Sequence, residues 1–241
     1  MSRTVLITGN SSGLGKGLTE AYLEKGFEVY GMSRRGYASS KHKLNDIRCD
    51  LTDYESVPLA LETLLMGISH LDVAILNAGI LGKMQDMADT SLEEIRRVME
   101  ANVWSNKVLL DWLLKSGIRI DQIVLISSGA AVNGNRGWGA YALSKATLNM
   151  LTQLYAHEFP HSHLVALAPG LVDTAMQDVL CDPVQVDDGQ FPSVKKLRAA
   201  RGTENMPSAT VAGQMIADLI PSLKQLPSGS FTDVRTLMQG Q

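Results

Sequence analysis

Cysteine is scarce in this 241-residue chain: Cys49 and Cys181 are the two present. That is too few for a disulfide framework and excludes the small, stapled, secreted folds. Long apolar runs are lacking as well, and none approaches the ~20 residues that span a bilayer. There is no surplus of positive charge. With 22 Lys and Arg against 25 Asp and Glu, the formal net charge is −3, so nothing in the balance favours a phosphate backbone. No internal repeat, low-complexity tract or Pro/Ser/Gly-rich linker divides the chain. Met1-Ser2-Arg3-Thr4 leads directly into a strand-like segment without the apolar core of a signal peptide. What is present is an ordinary globular composition, 45% hydrophobic and 20% charged. The expectation is one domain over 1–241 in the reducing cytoplasm, with neither nucleic acid nor membrane as a partner.

Short β-rich runs alternate with helical stretches. Segments 5–8, 28–33, 46–49, 73–76, 123–126, 164–167 and 230–234 read as strands, and 14–25, 54–66, 103–116, 141–158 and 211–220 as helices. Ser91, with Glu94 three residues on, forms the pattern of a capping box for a helix reaching Asn102. Near-continuous apolar strands separated by helices predict an α/β fold: a Rossmann-type doubly wound parallel sheet of about seven strands, with helices on both faces. Ligands of such sheets bind beyond the carboxyl ends of the strands, where the strand order reverses. Segment 176–207 fits no clean period and reads as a lid or binding loop over that end.

The first strand runs into Thr8-Gly9-Asn10-Ser11-Ser12-Gly13-Leu14-Gly15 and opens a helix. Glycines allow a tight turn and let a pyrophosphate approach backbone N–H groups at the positive helix end. The turn is not a nucleoside-triphosphate loop, because the position five after Gly9 is Leu14 and Lys16 is followed by Gly17. At the end of the second strand, where NAD binders place an acid for the ribose 2′-hydroxyl, the chain has Ser33-Arg34-Arg35. A hydroxyl and two guanidiniums suit a 2′-phosphate, which a carboxylate would repel. NADP(H) is therefore expected over NAD(H), the competing reading being a solvated loop with two surface arginines. Asp50-Leu51 follows the third strand and Asn77-Ala78-Gly79 closes the fourth.

Tyr141-Ala142-Leu143-Ser144-Lys145 sets a phenol and an ammonium four residues apart, on one helix face. Tyr37-Ala38-Ser39-Ser40-Lys41 repeats the spacing, but only Tyr141 follows a serine pair, Ser127-Ser128, at the end of a buried strand. Tyr37 is read as a decoy in a polar loop. An ordinary phenol titrates at about 10, so reversible acid–base work near neutrality needs a downward shift worth ~4 kcal/mol. One ammonium at ~4–5 Å, at an effective dielectric of ~20, supplies an interaction of that size.

Taken in order, these motifs and Pro169-Gly170-Leu171-Val172-Asp173-Thr174 make the chain similar to the classical short-chain dehydrogenase/reductase family over nearly its whole length. The resemblance implies that Tyr141 is the acid that protonates a substrate carbonyl oxygen and that Ser128 hydrogen-bonds that oxygen. It implies that Lys145 binds the nicotinamide ribose and favours tyrosinate, and that Asn102 holds a water in the proton relay. It places Gly9, Asn10, Ser11, Ser12, Gly13, Leu14 and Gly15, then Ser33, Arg34 and Arg35, and Asp50 and Leu51, along the cofactor. Asn77, Ala78 and Gly79 would run along the sheet edge, and Pro169, Gly170, Val172 and Thr174 would meet the nicotinamide end.

Substrate contacts are expected from Ser128, Ala130, Trp138, Met176 and Leu180, and Leu81, Met84, Asn133 and Phe191 are expected to line the same pocket. This mostly apolar set favours a hydrophobic or aromatic carbonyl. Trp138 is read either as a stacking wall or as packing at the helix start. Segment 172–177 together with Phe191 resembles the sepiapterin-reductase-like and benzil-reductase-like branch, and Asp233 is the nearest candidate for a pterin-anchoring carboxylate. His157, His161 and His163 lack convergent cysteines or carboxylates, so no metal is expected. The resulting expectation is an NADPH-dependent oxidoreductase acting on a small-molecule carbonyl, with the family's homodimer or homotetramer as its assembly. The rivals are a catalytically silent dinucleotide sensor and an epimerase or dehydratase with a differently spaced turn.

Overall fold

In the computed structural model, which describes residues 3–37, 43–184 and 186–239, seven parallel strands form one sheet. In chain order they are β1 (Thr4–Thr8), β2 (Glu28–Ser33), β3 (Leu44–Arg48), β4 (His70–Leu76), β5 (Arg119–Ile126), β6 (His163–Ala168) and β7 (Ser230–Asp233). Their spatial order is β3-β2-β1-β4-β5-β6-β7. The chain therefore works outward from β1 in one direction and then in the other. That reversal leaves a crevice beyond the carboxyl ends of β1 and β4.

Strand alternation divides the apolar residues between two cores. Val5, Ile7, Val73, Ile75 and Val124 join one core, under α1 (Gly13–Glu24) and α8 (Ala209–Leu219). Leu6, Ala74, Leu76, Ile123 and Leu125 join the other, under α2 (Ser56–Leu64), α4 (Ser105–Lys115) and α5 (Gly139–Glu158). Helices α1 and α8 meet backbone to backbone. A Cβ at Gly17 would lie 1.9 Å from the Ala209 carbonyl oxygen, and one at Gly213 would lie 2.2 Å from the Gly17 carbonyl carbon. Any side chain at either position would push the two helices apart.

Three local features differ from the sequence reading. Ser91 caps α3 (Leu92–Met99) by accepting from the Glu94 N–H at 3.1 Å, but the Glu94 carboxylate does not complete the box. It accepts instead from the Lys83 N–H and from Arg97. The helix expected to begin at Val103 starts as a π-helical turn, Glu100–Trp104, continuous with α3 and α4. Segment 176–207 is not a structureless loop: it carries most of α6 (Ala175–Cys181) and all of α7 (Pro192–Ala200). At seven and nine residues these helices are too short for a hydrophobic period to stand out. The chain closes with α9 (Val234–Gln239), directly after β7.

Candidate active site

The crevice is assembled around the end of β1. Gly9 has φ +69°, a conformation that favours glycine, and a Cβ there would lie 2.9 Å from the Ala78 Cα. The turn is tied to β4 through Thr8, whose Oγ1 accepts from the N–H groups of Asn77 at 3.0 Å and Ala78 at 3.2 Å. The Asn77 amide in return donates to the Thr8 carbonyl at 3.0 Å. Asn77-Ala78 thus pins the two strands at the switch point. Ser12 precedes α1 without a side-chain cap bond, so it consumes none of the N–H groups at that helix start.

A cavity of about 760 Å³ opens here. The turn residues Gly9 and 11–15 line it, together with 33–35, Asp50, Leu51 and 77–79, then Ser128, Tyr141 and Lys145, and finally Pro169, Gly170, Val172 and Thr174. Asn10, Ala130 and Asn102 are expected site residues that do not line it. Asn10 is fully buried and donates to Asp46 Oδ1 at 2.5 Å, bracing the turn against β3. Ala130 spends its N–H on Ser128 Oγ at 3.1 Å. Asn102 lies beneath the cavity floor, fully buried.

At the cofactor end, Ser33 is buried and its Oγ has no hydrogen-bond partner among the described residues. Arg34 and Arg35 are exposed beside it and form no ion pair among the described residues. A buried orphan hydroxyl flanked by two guanidiniums fits a phosphorylated ribose edge. Asp50 folds into its own turn, with Oδ1 accepting from the Thr52 N–H at 3.0 Å and its hydroxyl at 2.8 Å.

At the other end, Ser128 and Tyr141 face one another. Burial pushes the Tyr141 phenol above its ordinary range, and the hydrogen bond with Ser128 opposes that rise. Lys145 is buried, which lowers its ammonium to about 8, and it donates to the Ile126 carbonyl at 2.7 Å. Its Nζ lies 5.7 Å from the centre of the Tyr141 ring. The sequence argument had Lys145 bring the phenol down toward neutrality. In this structure burial acts on the phenol in the opposite direction, upward, and the Ser128 hydrogen bond works against it.

The Asn102 side chain makes three hydrogen bonds within the protein. Its Oδ1 accepts from the Ile80 N–H at 2.7 Å, while its Nδ2 donates to the Ile80 carbonyl and to Ser144 Oγ, both at 2.9 Å. Ser144 Oγ in turn donates to the Tyr141 carbonyl at 2.7 Å. Asn102 thereby clamps the loop after β4 to the first turn of α5. It sits in the π-helical turn, an irregularity common at functional sites that no spacing rule exposes. Asn149, which accepts from Ser127 Oγ at 2.6 Å, is another supporting residue the sequence did not single out.

Segment 176–207, the candidate lid, flanks one side of the cavity. Leu180, Leu197 and Met206 form a small core with Trp138, Leu81, Met84 and Leu171, and Trp138 Nε1 donates to Ser193 Oγ on α7 at 2.8 Å. Trp138, Met176 and Leu180 line the cavity as expected, joined by Leu171, Gln177 and Leu197, which were missed. Leu81, Met84, Asn133 and Phe191 do not line it, and Phe191 packs into a separate cluster with Val186 and Val194. Arg201 ties the lid to the loop after β6 by bridging Asp173, at 3.2 Å, and Asp178.

The remaining candidates fall elsewhere. Asp233 pairs with Arg235 outside the cavity. Tyr37 donates to Glu20 at 3.0 Å, and the rest of its motif, including Lys41, lies outside the described residues. His163 bonds the Leu226 carbonyl. Among the described residues, the group close enough to hold an ion is His70, Asp72 and Asp121. It sits at the opposite end of the sheet, with Arg119 3.2 Å from His70 Nε2.

A doubly wound sheet with a dinucleotide-sized crevice ending at a serine, a tyrosine and a lysine defines a nucleotide-dependent oxidoreductase fold. The short chain dehydrogenase family model matches residues 3–183, and the chain belongs to that family. A benzil reductase ((S)-benzoin forming) of Bacillus subtilis (strain 168) is 31% identical over 97% of this chain and 98% of its own. An NADPH-dependent 3-dehydrocapnine reductase of Ornithobacterium rhinotracheale is 30% identical over 71% of this chain and 66% of its own. Among solved structures, a short-chain dehydrogenase/reductase from Saccharomyces cerevisiae superposes with a TM-score of 0.82 at 24% identity. That match covers 97% of this chain and 96% of the other. The relatives place the chain in the benzil-reductase-like branch of the family.

Proposed function

We propose that this oxidoreductase reduces an apolar or aromatic ketone, diketone or aldehyde to the alcohol, with NADPH as the reductant. The observation that carries the reading is the Ser128–Tyr141–Lys145 group at one end of a cavity whose other end holds Ser33, Arg34 and Arg35. NADPH, when bound, supplies the hydride. The chain does the rest. Ser128 orients the carbonyl oxygen, and the buried Tyr141 phenol gives that oxygen its proton and is recharged from solvent. Lys145, held against the Ile126 carbonyl, keeps a cation beside the tyrosinate that forms. The Ser33 hydroxyl, unpartnered among the described residues, and the exposed guanidiniums of Arg34 and Arg35 support NADP(H) over NAD(H), as does the NADPH dependence in the name of the Ornithobacterium relative.

The apolar lid wall supports a hydrophobic substrate, and the Bacillus relative's name supports an aromatic diketone. The test is NADPH oxidation across diketones, quinones, pterins and aliphatic ketones. Turnover concentrated on aromatic diketones is expected. Tight NADPH binding without turnover of any carbonyl would overturn the reading.

A further inference from the structure

The lid wall of the cavity is apolar with one exception. Gln177 lines the cavity from α6 and is nine-tenths buried, and its Oε1 has no hydrogen-bond partner among the described residues. It lies three residues before Leu180, on the same helical face, and Leu180 packs against Trp138 and Leu197 at the substrate end. Met176, Leu171 and Leu197 offer that end no polar atom beyond their backbones. A buried amide left without a partner in such surroundings costs free energy, and natural interiors leave few of them. The amide can present either its N–H or its C=O by a half-turn of its last torsion, and among the described residues no group bonds its oxygen.

We infer that Gln177 is a specificity-determining residue, donating its amide N–H to a second oxygen on the substrate, next to the carbonyl held by Ser128 and Tyr141. The inference rests on the reductase reading and narrows it to a substrate class: vicinal dicarbonyls in preference to simple ketones. A site built to hydrogen-bond a group discriminates against the analogue that lacks it, because the site's own polar atom is then left unpaired.

The experiment compares benzil with deoxybenzoin, which carries the same two phenyl rings but has CH₂ in place of the second carbonyl. Both are assayed by NADPH oxidation in the parent and in Gln177→Met and Gln177→Glu, two variants that keep the side-chain length and lose the amide N–H. Where deoxybenzoin is not turned over, its inhibition constant against benzil is read instead. Each variant should lower kcat/KM for benzil by roughly 10–100-fold. Deoxybenzoin should change by less than about twofold, and the Kd of NADPH should not move, which also shows that the variants fold. Equal losses on both ketones, no loss on either, or weakened NADPH binding in both variants would overturn the assignment. The last of these would make Gln177 a cofactor or structural residue. Failure of the parent to reduce either ketone while binding NADPH would instead bring down the reductase reading, and the inference with it.

Discussion

At the scale of single residues, the catalytic end is governed by burial. Lys145 is 3% exposed, and its ammonium is depressed to about 8 from an unfolded value near 10.4. Between those two values the unfolded chain holds a proton that the folded chain does not, so stability rises with pH across that window. Below pH 8 the burial cost is present in full, on the order of 3 kcal/mol. Urea denaturation of the unliganded protein should show the parent gaining stability from pH 7 to pH 9. Lys145→Met should remove most of that gain while abolishing turnover, and a parallel gain in the variant would refute it.

Arg34 and Arg35 are argued on the same scale. Arg34→Ala should reduce the NADPH-to-NADH ratio of kcat/KM by at least tenfold, the loss of one charge-assisted bond to a 2′-phosphate. A parent that prefers NADH would remove the basis for this expectation. That these residues share one crevice was legible in the sequence because hydroxyl, guanidinium, phenol and ammonium are chemically distinctive at fixed positions after the strands. Asn102 was legible as a position but not as a clamp, because its partners Ile80 and Ser144 are set by a π-helical turn. Asn10 was placed along the cofactor by the resemblance and Ala130 by following Ser128, and only the fold shows that Asn10 turns inward toward Asp46.

At the scale of elements, the strands were the most readable features. An apolar run buried on both faces carries its own signal, and alternation then sorted Val5 and Ile7 from Leu6. The lid was the least readable, since α6 and α7 are short and their order comes from contacts with Trp138, Leu81 and Met84. The packing of α1 on α8 yields a test. Alanine favours a helix over glycine by about 1 kcal/mol, yet at Gly213 the added Cβ would meet the Gly17 backbone at 2.2 Å. Gly213→Ala should therefore destabilise the protein by ~1–3 kcal/mol. Gln214→Ala, on the neighbouring half-exposed position, should stay within about 0.5 kcal/mol. Equal urea midpoints for the two variants would show that the helices can separate at no cost.

At the scale of the whole molecule, the outer face of α5 leaves Leu143, Met150 and Leu154 between 46% and 55% exposed. These positions share one helical face and present an apolar stripe to solvent. It supports the proposal that the chain assembles as a homodimer or homotetramer through this helix. Light scattering should give a mass of two or four chains for the parent and a smaller species for Met150→Glu combined with Leu154→Glu. A monomeric parent would contradict the proposal. No helix among the described residues is long and apolar enough to cross a membrane.

The central claim concerns one proton. Tyr141→Phe keeps the ring, its packing against Trp138 and the cofactor crevice, and removes only the hydroxyl that we propose protonates the carbonyl oxygen. Single-turnover oxidation of bound NADPH by an aromatic diketone, followed at pH 7 in parent and variant, tests it most directly. The expected result is a rate lowered by roughly 10²–10⁴-fold, with the Kd of NADPH unchanged within about twofold. A variant that retains most of the parental rate would contradict the account.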